Sequence, residues 1–268
     1  MDDTRTAAVK ALDYMQGMPR SKWAWEYLRR NPAYREDHER HREGALTRQF
    51  DDNGVELLTL DRPEPAAERW GLSFFASPNR TAEDAALAWT SEVNPHVLNV
   101  VATPANETDN EADAFEISRL SCRKICLRSS AGHETFIAAS QGLRVQMECR
   151  GSSLMSGPVA LNFIIEGLDI DAKADAIRRL ATTYKDARGP GPQSRRWTSR
   201  TLTLRDGLIA LDAFQMGGSH RDAARAIYGE EEAARGFSAG DEVMKRRMQR
   251  LRQKAIDMME GEYLSLVA

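Results

Sequence analysis

The residue types best suited to recognition chemistry fall in one run, Val243-Met-Lys-Arg-Arg-Met-Gln-Arg-Leu-Arg-Gln-Lys254, which contains no acid. Arginine can bond a guanine edge bidentately, glutamine can do the same to an adenine edge, and flanking lysines and arginines suit phosphates. At helical spacing Met244, Met248, Leu251, Ala255 and Met258 form one apolar stripe. Arg246, Gln249, Arg250 and Gln253 then fall on the opposite face, with Lys245, Arg247, Arg252 and Lys254 along the flanks. Arg246, Gln249 and Arg250 are expected at base edges, and Lys245, Arg247, Arg252, Lys254 and Arg221 at phosphates. A basic run alone reads equally as the solvated face of a structural helix. The lack of any acid over 243–254, in a chain with 40 acidic residues, favours DNA.

The elements that must carry this run are legible from their ends. Thr203-Leu-Arg-Asp206, Ser219-His-Arg-Asp222 and Ser238-Ala-Gly-Asp241 each place a carboxylate three positions after a hydroxyl. That is the capping-box pattern of a helix start. Gly217-Gly218 and Gly229 supply the stops, because glycine takes the left-handed C-terminal position at little cost. The first helix offers Leu204, Leu208, Leu211 and Phe214 to a core, and the second offers Ala223, Ala224 and Ile227. The third is expected over 241–258. Helix, tight turn, helix and a basic helix describe a helix-turn-helix unit. Ser219, His220 and Arg221 open the second helix, where an N-terminus attracts phosphate, and they complete the expected DNA-contact set. For His220 an exposed first-turn residue is the plain alternative. Glu230 to Gly236 makes the second connection longer than a tight turn, reads as an extra helical turn, and bears on the register of the recognition helix.

No other constellation supports chemistry. His38-Glu-Arg-His41 spaces its histidines three apart, where the helical zinc pattern has four, and no third ligand is identifiable. A solvated charged face is expected there. Cys122 and Cys126 have the wrong spacing for a redox pair and are expected as buried small residues of a strand. Ser129-Ser-Ala-Gly-His133 reads as a hairpin turn, because no Gly-x-Ser-x-Gly surrounds it. No catalytic, cofactor or metal site is therefore expected, and the chain reads as a non-enzyme.

With 268 residues the chain is long enough for one large or two modest domains. The net charge of −3 does not itself suggest nucleic acid, but the charge is uneven, with the acids concentrated earlier and the basic helix late. Three cysteines cannot all pair, and reduced thiols are expected. No apolar run of membrane length and no apolar leader occurs, so a cytoplasmic protein without membrane contact is expected. A short helix is expected over 4–16, and an aromatic-rich one from Arg20 that breaks before Pro32, with another helix beginning after it. Trp23 with Tyr27, and Trp25 with Leu28, put large side chains on two faces, as a helix buried between partners requires.

Short β-prone segments follow at Val55–Leu60, Leu72–Phe75, His96–Val101, Ile125–Arg128, Thr135–Ala138, Leu143–Met147 and Val159–Ile165, and read as an antiparallel sheet. Thr103 to Asp113 is expected as a loop, Ile170 to Lys185 as a helix, and Gly189-Pro-Gly-Pro as a hinge. The expected class is α+β: N-terminal helices, a central antiparallel β region and a C-terminal helix-turn-helix domain. The expected divisions are 1–52, 53–188, a linker over 189–198, and 199–268.

Trp25-Glu-Tyr-Leu-Arg-Arg-Asn-Pro-Ala-Tyr34 resembles a proteobacterial N-terminal module. Leu208-Ile-Ala-Leu-Asp212, Gly218-Ser-His-Arg-Asp222, Ala226-Ile-Tyr-Gly229 and the basic helix through Gly261-Glu-Tyr263 resemble its usual companion domain, and Gly157-Pro-Val-Ala-Leu-Asn-Phe163 also matches. Proteins with this pair look like transcriptional activators, including regulators of integrative conjugative element excision and of type VI secretion. The resemblance implies binding to double-stranded promoter DNA, homo-oligomerisation, and control by small antagonists that share the C-terminal domain. RNA polymerase stands as a further candidate partner. The competing reading is a protein-interaction module that binds a related regulator rather than DNA.

Overall fold

The computed structural model describes residues 3–41, 46–105, 114–140, 143–167, 170–185, 196–238 and 242–268. In chain order the elements are α1 (Asp3–Lys10), a 3-10 turn at Asp13–Met15, α2 (Arg20–Leu28), α3 (Pro32–His41), β1 (Leu46–Phe50), β2 (Val55–Leu60), α4 (Pro65–Glu68) and β3 (Val97–Pro104). There follow β4 (Arg123–Ser129), β5 (Glu134–Ser140), β6 (Leu143–Gly151), β7 (Val159–Ile164), α5 (Ile170–Lys185), α6 (Ser199–Gln215), α7 (His220–Tyr228), α8 (Glu230–Gly236), α9 (Val243–Glu260) and a 3-10 turn at Glu262–Leu266. The class is α+β, as expected. The chain forms two units, a helical one from 1–35, 78–85 and 194–267, and a sheet unit from 36–77 and 86–193.

The sheet unit holds a seven-stranded sheet in the order β1-β2-β4-β5-β6-β3-β7. It is mixed, which corrects the antiparallel expectation: β2 runs parallel to β4 and β3 parallel to β6. Between β2 and β4 the chain crosses to the far side of the sheet to lay down β3, and a strand returning from such a crossover can lie parallel to the one it left. Period-2 alternation reports which face is buried and carries no information on the direction of a neighbour. Leu72–Phe75 is not a strand but contributes one isolated bridge, Leu72 to Trp89. Thr103 and Pro104 extend β3, and the rest of the expected loop, from 106, lies outside the described residues.

The strand missed in the sequence is β1, an exposed edge with no buried alternation, held by its register of Leu46 on Leu60 through Phe50 on Glu56. A tight turn closes it: Gly54 sits at φ +69°, and the Asp51 carboxylate accepts from the backbone of Asn53 (3.0 Å) and Val55 (2.6 Å).

One face of the sheet buries Val100, Phe136, Ala138, Met147 and Cys149 under Ala176 and Leu180 of α5. Tyr184 ties the helix down, since its hydroxyl accepts from the Glu116 N–H and donates to the Ala114 carbonyl, each at 2.9 Å. Cys126 and Cys149 are buried, as a structural role requires, and Cys122 is half-buried. Burial pushes the Cys126 thiol up to about 12, far from nucleophilic at neutral pH. His41 stacks on Phe75 (centroids 5.0 Å apart) and His38 meets the same ring edge-on (6.5 Å). The pair therefore packs on an aromatic ring, where solvation was expected. Among the described residues no group of three or more side chains could hold a metal. No helix among them is long and apolar enough to cross a membrane.

Candidate nucleic-acid interface

The helical unit positions α9, and α9 sorts its side chains by face. Met244, Met248, Ala255, Met258 and Met259 are buried and Leu251 is partly so, while Lys245, Arg246, Arg247, Gln249, Arg250, Arg252, Gln253 and Lys254 are all exposed. The same apolar residues that anchor the helix thus fix which way its basic face turns. Several exposed groups are lightly held. Arg246 pairs with Glu242 at 3.2 Å, Gln253 donates to Asp257 at 2.8 Å, and Lys254 pairs with Glu262. Exposed pairs of this kind are each worth about 0.2–1 kcal/mol, little enough for a phosphate to displace the acid. Arg247 lies over the Tyr228 ring (4.7 Å) and Arg252 over the Phe214 ring (4.9 Å).

The supporting helices end where glycine allows. Gly217, at φ +82°, lets the last turn of α6 close, with the Gly217 N–H bonded to Phe214 and that of Gly218 to Ala213. Ser219 caps α7 through a reciprocal box: its hydroxyl accepts from the Asp222 N–H (3.3 Å), and the Asp222 carboxylate accepts from the Ser219 N–H (2.9 Å) and hydroxyl (2.7 Å). The hydrogen bonds from the Ser219 hydroxyl and N–H hold the Asp222 carboxyl below its ordinary value. Arg221 is exposed, and His220 meets the Phe214 ring edge-on at 5.3 Å. His220 and Arg252 therefore lie against one ring.

Two of the expected helix starts need comment. Thr203–Asp206 lies inside α6, which begins at Ser199 with Thr198 as its cap and Thr201 as the reciprocal partner. Thr203 instead donates to the Ser199 carbonyl (3.0 Å), and Asp206 pairs with Arg205 (2.7 Å). The third expected box rests on Asp241, outside the described residues. Ser238 itself donates to the Arg235 carbonyl at 2.8 Å and closes α8, the short helix that the 230–236 insertion forms.

The aromatic N-terminal block is the part of this unit that sequence reasoning left without a partner. Every residue of α2 from Lys22 to Leu28 is buried. The Tyr27 hydroxyl donates to the Leu204 carbonyl of α6 (2.8 Å), and the Asn31 amide donates to the Met259 carbonyl of α9 (3.0 Å). Gln215 of α6 donates to the Arg30 carbonyl (2.9 Å), and Arg20 donates to the Ser265 carbonyl (2.6 Å). Arg30 grips Asp212 with two parallel bonds, 2.6 and 2.9 Å, and Glu26 with a third at 2.6 Å. Burial pushes the Glu26 carboxyl up, but Arg30 and Arg29 override this and hold it below its ordinary value. Residues some 180 positions apart are thereby joined into one core.

Gly207 of α6 marks the closest approach, because a Cβ there would collide with the Tyr27 hydroxyl. Gly207→Ala is expected to break the bond to Leu204 and to cost about 1–3 kcal/mol, read as a lower urea midpoint with an unchanged slope.

Two family models match the chain. Residues 7–75 match the proteobacterial transcriptional regulator-like domain. Residues 165–268 match the T6SS transcription factor DNA-binding domain, and so include α6 to α9 with their exposed basic face. No curated protein matches the chain. The chain thus joins a proteobacterial transcriptional regulator-like domain to a T6SS transcription factor DNA-binding domain, the domain pair of a DNA-binding transcriptional regulator.

Proposed function

We propose that this protein is a sequence-specific activator of mobile-element transfer or secretion genes, acting in the cytoplasm, with α9 entering the major groove of promoter DNA. The observation that carries the reading is the sorting of α9: eight cationic or amide side chains are exposed while its methionines are buried. Arg246, Gln249 and Arg250 read base edges, with Gln253 on the same face. Lys245, Arg247, Arg252, Lys254 and Arg221 hold phosphates, and Ser219 and His220 meet the backbone at the start of α7. A homo-oligomer working with RNA polymerase fits an activator.

Selection of bound sequences from a random pool tests this reading. A defined motif is expected, and Arg250→Ala should relax preference at one position by about 1–3 kcal/mol if its contact is bidentate. Recovery of no motif would overturn it. Unchanged affinity and preference for Arg250→Ala would mean that another set of residues reads the bases.

The antagonist reading has one observation in its favour. The groups in α2 and just after it that bond α6 and α9, Tyr27, Arg30 and Asn31, would accept the same helices from a separate copy of that domain, so a small protein carrying it could compete for the N-terminal block. Competitive capture of residues 1–35 by a free C-terminal domain, with loss of DNA binding, is the outcome expected from such an antagonist.

A further inference from the structure

The geometry points to Phe214 and Tyr228 as positioning residues that hold two arginine forks, one on each flank of the α9 reading face, ready for phosphate. This inference rests on the DNA-contact reading of α9 and adds to it the groups that orient its flanks. Arg247 and Arg252 are five positions apart, which at about 100° per residue puts them on opposite sides of the buried methionine stripe. Each is met there by an aromatic ring from a different helix: Tyr228 at the C-terminal end of α7, 4.7 Å from Arg247, and Phe214 near the C-terminal end of α6, 4.9 Å from Arg252. Neither arginine is ion-paired with a carboxylate among the described residues.

A guanidinium on a ring uses its flat face for the contact and leaves its edge, with the N–H donors, turned outward. That edge is what a phosphate takes bidentately. An arginine left free on a helix surface would have to give up rotamer freedom when it binds, and one already held against a ring has less to lose. His220 shares the Phe214 ring at 5.3 Å, so the same ring also holds the first turn of α7 beside Arg252. Lysine cannot replace either arginine in this arrangement, because a single ammonium resting on a ring has no fork to present.

The test is a double-mutant cycle in DNA affinity, measured by fluorescence anisotropy on the full chain with the DNA fragment it binds best. Arg252→Ala is expected to weaken binding about tenfold and to lower the salt slope by about one. Phe214→Leu should weaken binding about three- to tenfold in the native background and clearly less once Arg252 is alanine, the remainder coming from His220 on the same ring, while Phe214→Tyr, which keeps the ring, should bind as the native chain does. Tyr228→Leu and Arg247→Ala should be coupled in the same way.

Equal losses for Phe214→Leu in both backgrounds would overturn the inference and make the ring a core residue only. An Arg252→Ala chain that binds DNA unchanged would overturn the phosphate contact itself, a failure distinct from that of the ring. Arg252→Lys keeps the charge at an exposed position and so keeps the test open if Phe214→Leu fails to fold. It should bind closer to Arg252→Ala than to the native chain, and native-like binding would contradict the inference.

Discussion

Arg30→Met is expected to destabilise the helical unit by about 3 kcal/mol, the low end of the 3–5 kcal/mol seen when one partner of a buried ion pair is removed. The low end applies because its two acids differ. Glu26 is 0% exposed and keeps its Arg29 contact, while Asp212 is 41% exposed and can be rehydrated. Methionine retains most of the packed stem, so the loss reports the charge and its four hydrogen bonds rather than a cavity. Denaturation followed by tryptophan fluorescence measures it, since Trp23, Trp25 and Trp197 belong to this unit.

The same network fixes a pH dependence. The folded-state value of Glu26 is depressed, so its contribution to stability is present above the ordinary carboxylate range and is lost as pH falls through the folded value. The native chain should therefore lose stability on acidification, with this loss much reduced in Arg30→Met. An Arg30→Met chain that is as stable as the native one would mean that the N-terminal block and α6 are held together by packing alone.

Replacing Lys245, Arg247, Arg252 and Lys254 together with alanine is expected to lower DNA affinity on the order of 100- to 1,000-fold at moderate salt. It should also reduce the slope of log affinity against log salt by about 3–4, at about 0.9 per phosphate. All four side chains are exposed, so the fold should survive the loss of their ring contacts and of the Lys254–Glu262 pair. The loss should be similar on every DNA sequence, in contrast to Arg250→Ala, which acts at one position. A salt slope unchanged by the fourfold replacement would place the phosphate contacts elsewhere.

Much of the interface is legible in the sequence because its determinants are local. The Ser219 box, the stops at Gly217 and Gly229, the extra turn at 230–236 and the two faces of α9 depend on residues within a few positions of one another. The start of α6 lies a turn before the expected Thr203, whose acid three positions on matches the box pattern without forming one. Thr198 takes the cap with a threonine, Thr201, as its reciprocal partner, a weaker sequence signal. What depends on distant pairs could not be read. Arg30 and Asp212 each sit in a recognisable motif, yet nothing in either motif names the other. Phe214 carried the right period for a core residue, and its second contact, to Arg252, becomes visible only when α6 and α9 lie side by side. The parallel pairings of β2 with β4 and β3 with β6 are hidden for the same reason.

The central claim is that the exposed face of α9 recognises promoter DNA. Fluorescence anisotropy of the purified chain on its own upstream DNA, over a salt series and beside unrelated DNA of equal length, tests it most directly. Tight, salt-sensitive binding with a clear preference for the upstream fragment is the predicted result. Equal and weak binding to both fragments would contradict it.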